Sequence, residues 1–208
     1  MNYSTNQENK YRVNAYFDGQ NLFHSAKECF GYTFPNYDPI KLTKALIKNN
    51  PERTLKKIHF YTGIHKADKN PLWHRFWTNK LLGLRNAGVD VFTRELKYDD
   101  SRGREKGIDV RIALDLVRGY RIGLYDVAII FSQDSDLEEA INEIYDIKKN
   151  MANPRWVKLE CAYPCVDKSH RGLNKTDWIK IDKELYEQCL DSKDYFFTTT
   201  KQTKLHLK

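Results

Sequence analysis

Apolar positions along this chain follow two rhythms. Five short apolar runs have strand character: residues 13–17, 57–61, 89–93, 127–131 and 155–162. Between them, apolar residues fall three or four apart, the spacing of one helix face. Leu22, Phe23 and Ala26 begin the first such stretch. Leu42, Leu46 and Ile47 follow Asp38-Pro39, a natural N-cap and first turn. Trp73, Phe76, Trp77, Leu81 and Leu84 follow Pro71, with Gly88 as the C-cap. Residues 108–117 are apolar almost all round, which predicts a helix buried between other elements. Residues 137–149 read as an amphipathic helix, 178–181 as a short edge strand and 183–190 as a last helix. Residues 98–106 are polar and charged and contain Gly103, so they read as a mobile loop.

Strands alternating with helices predict an α/β fold with a mostly parallel sheet covered on both faces. A length of 208 residues suits one domain. The expected organisation is a loose leader over 1–10, a domain over 11–191 and a flexible basic tail over 192–208. No run approaches the roughly 20 apolar residues of a membrane span, and the start lacks the apolar core of a signal peptide. A cytoplasmic protein is the expectation. Lys and Arg outnumber Asp and Glu 35 to 28, a net charge of +7. That excess favours a polyanionic partner such as RNA or DNA. Cys29, Cys161, Cys165 and Cys189 are too few and scattered for a disulfide framework. Cys161, Cys165 and His170 could form part of a zinc site, but buried thiols are the simpler reading.

Within such a sheet, ligands sit outside the carboxyl ends of the strands, and that rule gives the acids their meaning. Asp18 directly follows the first strand, and Asp134 and Asp136 directly follow the run 127–131. Parallel strands bring all three to one edge. Asp109 opens the helix after Lys106-Gly107, where the helix dipole favours a carboxylate. Each acid has a local alternative. Asp18 fits a turn or cap, and Asp136 fits the N-cap of the next helix. Asp115 pairs more naturally with Arg111 or Arg118. Together, however, the four carboxylates would repel one another unless a cation joined them. Oxygen ligands select a hard ion, Mg²⁺ or Mn²⁺. Such an ion polarises a phosphoryl oxygen and lowers the pKa of its water. Acidic centre and basic rim together suit phosphodiester hydrolysis.

Three blocks then resemble the NYN family, the LabA-like or DUF88 group of PIN-like ribonucleases. They are Tyr16-Phe-Asp-Gly-Gln-Asn21, Lys106-Gly-Ile-Asp-Val110 with Asp115, and Asp126-Val-Ala-Ile-Ile-Phe-Ser-Gln-Asp-Ser-Asp-Leu137. Asn86-Ala-Gly-Val-Asp-Val91 falls between the first two. The resemblance implies a PIN-like three-layer α/β/α sandwich and a metal-dependent nuclease site acting on RNA, with single-stranded RNA as one expected form and a homodimer as one assembly. Carried over to this chain, it makes Asp18, Asp109, Asp134 and Asp136 the catalytic and metal-binding acids. Asn21 would orient Asp18 or a water, Lys106 would face a phosphate, and Ser132 would support the central loop. The family's Ser-Gly-Asp becomes Ser132-Gln133-Asp134 here. A glycine there would allow φ > 0 or close backbone approach to substrate, so Gln133 puts the substrate range in question.

The charged segment 94–111 adds Arg102 and Arg104 as candidate strand contacts, offset by Glu95, Asp99, Asp100 and Glu105. Tyr32, Phe34 and Tyr37 could stack bases, although loop packing accounts for them as well. Trp73, Trp77 and His59 read as core; His24, His65 and His74 have no evident partner. The leading expectation is a ribonuclease that leaves a 5′-phosphate and a 3′-hydroxyl. The alternatives are a catalytically weak or inactive nucleic-acid adaptor on the same fold, and a phosphatase on small phosphoesters. The phosphatase is disfavoured because Gly19-Gln20 follows Asp18 where Asp-x-Asp would be wanted.

Overall fold

Strand β1 (Tyr11–Asp18) lies at the middle of the molecule, and its alternation sets the layers. Val13, Ala15 and Phe17 point into one core, while Tyr16 points into the other. In the computed structural model, which describes residues 10–99, 102–165 and 170–196, β1 runs directly into α1 (Gly19–Phe30). Then come α2 (Pro39–Ile47), β2 (Arg53–Ile64), α3 (Pro71–Asn86) and β3 (Asp90–Glu95). A short antiparallel hairpin follows, β4 (Lys97–Asp99) with β5 (Arg102–Arg104). The rest is α4 (Ile108–Arg121), β6 (Val127–Phe131), a 3₁₀ turn (Ser135–Leu137), α5 (Glu138–Asn150), β7 (Lys158–Pro164), β8 (Asp177–Ile181) and α6 (Lys183–Gln188).

Six strands form one sheet in the order β3-β2-β1-β6-β7-β8, and every neighbouring pair is parallel. Helices α1, α2, α3 and α6 bury Leu22, Leu42, Trp77 and Tyr186 against one face. Helices α4 and α5 bury Ile112, Leu116 and Ile141 against the other. This is a three-layer α/β/α sandwich, the PIN-like architecture. Its chirality follows from the parallel crossovers.

Several expectations change. Residues 98–106 are not an open loop: β4 and β5 pair, with Asp100 and Ser101 outside the described residues. The helix from Ile108 is not buried all round. Only its inner stripe, Ile108, Ile112, Leu116, Gly119 and Tyr120, is buried, while Val110 and Leu114 are more than 60% exposed. The chain also stays packed beyond Asp191. Tyr195 lies on Phe76 with its carbonyl accepting from Asn79 Nδ2 at 3.0 Å, so ordered packing reaches at least Phe196. Most of the expected tail, 197–208, and the leader, 1–9, lie outside the described residues.

Charged groups toward the amino ends of the strands are paired. Arg12 grips Asp126 through two nitrogens at 2.7 and 3.0 Å. Arg53 holds the buried Glu160 in a fork at 2.7 and 2.8 Å. Arg12 keeps the Asp126 carboxyl below its usual range. The carboxyl ends of the strands are different.

Candidate active site

Asp18 ends β1 and caps α1. Its Oδ1 accepts from the Asn21 backbone N–H at 3.0 Å, and the Ser132 hydroxyl donates to Oδ2 at 3.4 Å. The local alternative for this residue therefore holds, because the side chain is an N-cap. It is also buried at the floor of a cleft, so capping and site membership coexist. Ser132 follows β6 and accepts from the Asp134 N–H at 3.1 Å. Asn21 Oδ1 accepts from the Gln133 N–H at 2.9 Å. These bonds tie the end of β1 to the loop after β6, the two strands that stand side by side at the centre of the sheet.

Of the two acids of that loop, Asp134 takes both the cap and the place in the cleft. Asp134, not Asp136, is the cap: its Oδ1 accepts from the Asp136 N–H at 3.0 Å. Asp134 lines the cleft, whereas Asp136 is exposed in the turn beside it. Asp109 enters from the first turn of α4 and lines the same cleft. Asp115 does not. It accepts from Arg111 at 2.8 Å and from the Tyr61 hydroxyl at 2.9 Å, as the pairing alternative anticipates.

One further carboxylate escapes the sequence reading. Glu105, just after β5, lines the cleft and accepts from the Gly63 N–H of β2. Its sequence neighbourhood is that of a solvated charged segment. The hydrogen bond from β2 and the fold of the hairpin turn it inward.

The cleft holds about 580 Å³. Its lining also includes Phe23, His24, Lys27, His65 and Trp73. Trp77 is core, as expected, but Trp73 is only partly buried and faces the cleft. His65 Nδ1 stands 2.7 Å from the Tyr98 hydroxyl, which joins the hairpin to the cleft wall. Tyr37 is buried and donates to the Gly19 carbonyl at 3.0 Å, so it packs the loop and does not offer a stacking surface. His59 is partly exposed and lies elsewhere, beside Asp90. Lys106 and Arg104 are exposed next to Glu105, and only the backbone of Arg102 is described.

Electrostatically the floor is uncompensated. Burial pushes the Asp18 carboxyl up to about 7, aided by repulsion from Asp109 and Asp134, against the opposing Asn21 bond. Burial likewise pushes Glu105 up to about 7, with Asp18 and Asp109 adding to the effect. Asp109 is raised by burial and by Asp134. Among the described residues, no Lys or Arg forms an ion pair with any of these acids. The donors suit a hard divalent cation in kind: carboxylate oxygens, no thiol, and buried negative charge awaiting a counter-charge. In spacing the set is open. Among the described residues, no three Asp, Glu, His or Cys side chains stand close enough together to hold an ion as they are.

Gln133 fits its place without a left-handed backbone. Its Oε1 accepts from the Ser25 hydroxyl at 3.0 Å, and its Nε2 donates to the Arg171 carbonyl at 2.8 Å. The side chain thus fastens the central loop to α1. Cys161 is buried behind it, donating to the Ser132 carbonyl at 3.2 Å.

Fold and cleft together define a PIN-like protein with an acidic site at the carboxyl edge of its sheet. The chain belongs to the NYN domain family, which matches residues 12–151, and so to a group with a nuclease-like fold. A solved structure of a protein of unknown function from Vibrio parahaemolyticus is similar, at 16% identity and a TM-score of 0.55. The likeness covers 90% of this chain and 100% of that one, and it concerns the fold alone. No curated protein matches. Among the described residues, no helix is long and apolar enough to cross a membrane.

Proposed function

We propose that this protein is a metal-dependent ribonuclease whose site is Asp18, Asp109, Asp134 and Glu105. The observation that carries this reading is the floor of the cleft, where the buried Asp18 and the partly buried Glu105, Asp109 and Asp134 gather with no ion-paired Lys or Arg among the described residues, while paired acids occupy the opposite end of the sheet. Asp18, Asp109 and Asp134 are the residues that would hold Mg²⁺ or Mn²⁺. Such an ion supplies a water of lowered pKa and polarises the phosphoryl oxygen. Asp136, exposed beside Asp134, adds negative charge toward Asp109. Asn21 and Ser132 fix Asp18 and the central loop through the bonds described above. Lys106 and Arg104, exposed beside Glu105, would meet phosphates of the strand on the hairpin side. Phe23 and Trp73 offer ring surface to unpaired bases, which favours single-stranded RNA. Hydrolysis would break the P–O3′ bond, leaving a 5′-phosphate and a 3′-hydroxyl.

The test is incubation with labelled RNA of mixed sequence in Mg²⁺, Mn²⁺ or EDTA. Cleavage in either metal, abolished by EDTA and reduced to background in Asp134→Asn, is the expected result. Asn retains a cap at this position, so a loss of activity with unchanged melting temperature isolates the chemistry. Cleavage that persists in EDTA or in Asp134→Asn would refute the reading. Binding without cleavage in any metal would favour the nucleic-acid adaptor.

A further inference from the structure

Outside the acidic cleft, a second hollow of about 360 Å³ opens on the opposite face of the sheet, between α4 and the outer strands β2 and β3. It exists because two helices cover that face, and neither lies over β3. Its walls include Tyr61, Phe92, Arg111 and Arg118.

The hollow is joined to the cleft through an unbroken series of contacts. The Arg94 guanidinium packs on Gly107, the residue before α4, with Nη1 3.5 Å from where a β-carbon would stand. Asp109 of the cleft is two residues further on. Arg94 also lies over the Phe92 ring, 5.6 Å from its centre, and Arg111 lies over that ring at 4.9 Å. Arg118, about two turns further along α4, lines the hollow and is exposed. The hollow's lining on α4 runs from Arg111 to Gly119, eight residues at 1.5 Å each, about 12 Å, and Gly107 lies four residues before it.

The charges of the groove are unequal. Asp115 is engaged by Arg111 and Tyr61, and Asp90 by Lys57 at 2.8 Å and His59 at 3.6 Å. Arg94 and Arg118 have no carboxylate in ion-pair contact among the described residues. Arg94, over the Phe92 ring, and the exposed Arg118 can therefore turn their N–H donors toward phosphate oxygens. Cationic edges beside aromatic rings suit a flexible single strand, whose unpaired bases can stack.

We infer that an RNA strand held in the acidic cleft continues around the N-terminal end of α4, past Arg94, Phe92 and Arg111, into the hollow at Arg118. The inference rests on the nuclease reading and extends it: the site grips single-stranded RNA well beyond the bond it cuts.

The experiment compares wild type with Arg94→Ala/Arg118→Ala, and with Lys180→Ala/Lys183→Ala at the opposite sheet edge as a charge-matched control. Binding of a fluorescent single-stranded RNA of about 14 nucleotides is followed in EDTA over a salt series. Cleavage is followed in Mg²⁺ on that RNA and on one of about 4 nucleotides, too short to reach the hollow. The expected loss in affinity for the long RNA is about fivefold or more, with the salt slope shallower by about two. KM for the long RNA rises, its kcat holds, and the short RNA keeps its kcat/KM. No loss, an equal loss on both lengths, or the same loss in the control would overturn the path while leaving the nuclease reading intact. Binding without cleavage by the wild type would sink the nuclease reading, and the path would then stand or fall on the binding data alone. Wild-type protein that binds no RNA overturns both.

Discussion

Asp18 and Glu105 carry the most specific consequence at the scale of single residues. Both hold their protons up to about pH 7 in the folded protein without a cation. In the unfolded chain they release them near pH 4. Between those values the folded state binds more protons, so stability falls as pH rises through the window. Asp18→Asn removes one charge and keeps the cap, because Asn is an equally good N-cap. In EDTA the variant should melt higher than wild type at pH 8 and at nearly the same temperature at pH 4. A variant that melts lower at pH 8 would mean the buried carboxylate is already compensated. At the same scale, Glu105→Gln should slow cleavage about 10- to 100-fold, with Glu139→Gln on the exposed face of α5 as an inert control. Unchanged cleavage in Glu105→Gln would remove it from the site. The sequence makes Asp18, Asp109 and Asp134 legible, since each directly follows a strand or opens a helix. Glu105 is illegible because its burial depends on the Gly63 N–H, 42 residues away. The cap falls to Asp134 and not Asp136 for a similar reason. A one-turn 3₁₀ segment precedes α5 and moves the cap two residues upstream.

Elements show how far periodicity reaches. The α3 pattern is legible in its opening at Pro71 and its apolar stripe; the Asn70 cap is not singled out by the sequence, and the C-cap is Ala87, with Gly88 just beyond it at φ of 87°. The α4 pattern misleads because an apolar residue records only that burial is tolerated, whereas exposure depends on what else packs nearby. Among the described residues, no helix covers the side of Val110 and Leu114. The close approach of α4 to the sheet is set by Gly119. A β-carbon there would stand 2.8 Å from the Tyr125 ring and 3.0 Å from the Tyr16 hydroxyl. Tyr125 is held in turn by donating to the Leu116 carbonyl at 2.8 Å. Although alanine favours helix, Gly119→Ala should therefore cost about 1–3 kcal/mol through overpacking, measured by urea unfolding. A neutral or stabilising change would show that the two tyrosines yield freely. The substitution should also weaken cleavage beyond its effect on stability, because α4 carries Asp109.

For the whole molecule, strand–helix alternation discloses a parallel sheet but not the strand order. The order decides the site. From β1 the chain moves outward through β2 to β3, then returns by the hairpin and α4 to β6 on the other side of β1. After β1 the helix packs on one face, and after β6 on the other. A crevice opens where the winding reverses, and Asp18, Ser132 and Asp134 stand there. Because β1 and β6 are the central strands, a ligand that joins the ends of both should stabilise the entire fold rather than one loop. Mg²⁺ or Mn²⁺ should accordingly raise the melting temperature as one cooperative transition, by an amount that grows with ion concentration over its Kd, about 2.7 kcal/mol at a hundredfold excess. The ion competes with protons on Asp18 and Glu105, so the gain should be large at pH 8 and small at pH 5. It should vanish in Asp18→Asn, the same variant that is the more stable protein in EDTA. This reversal distinguishes a metal site from general ionic stabilisation, which would act on both proteins alike and at both pH values.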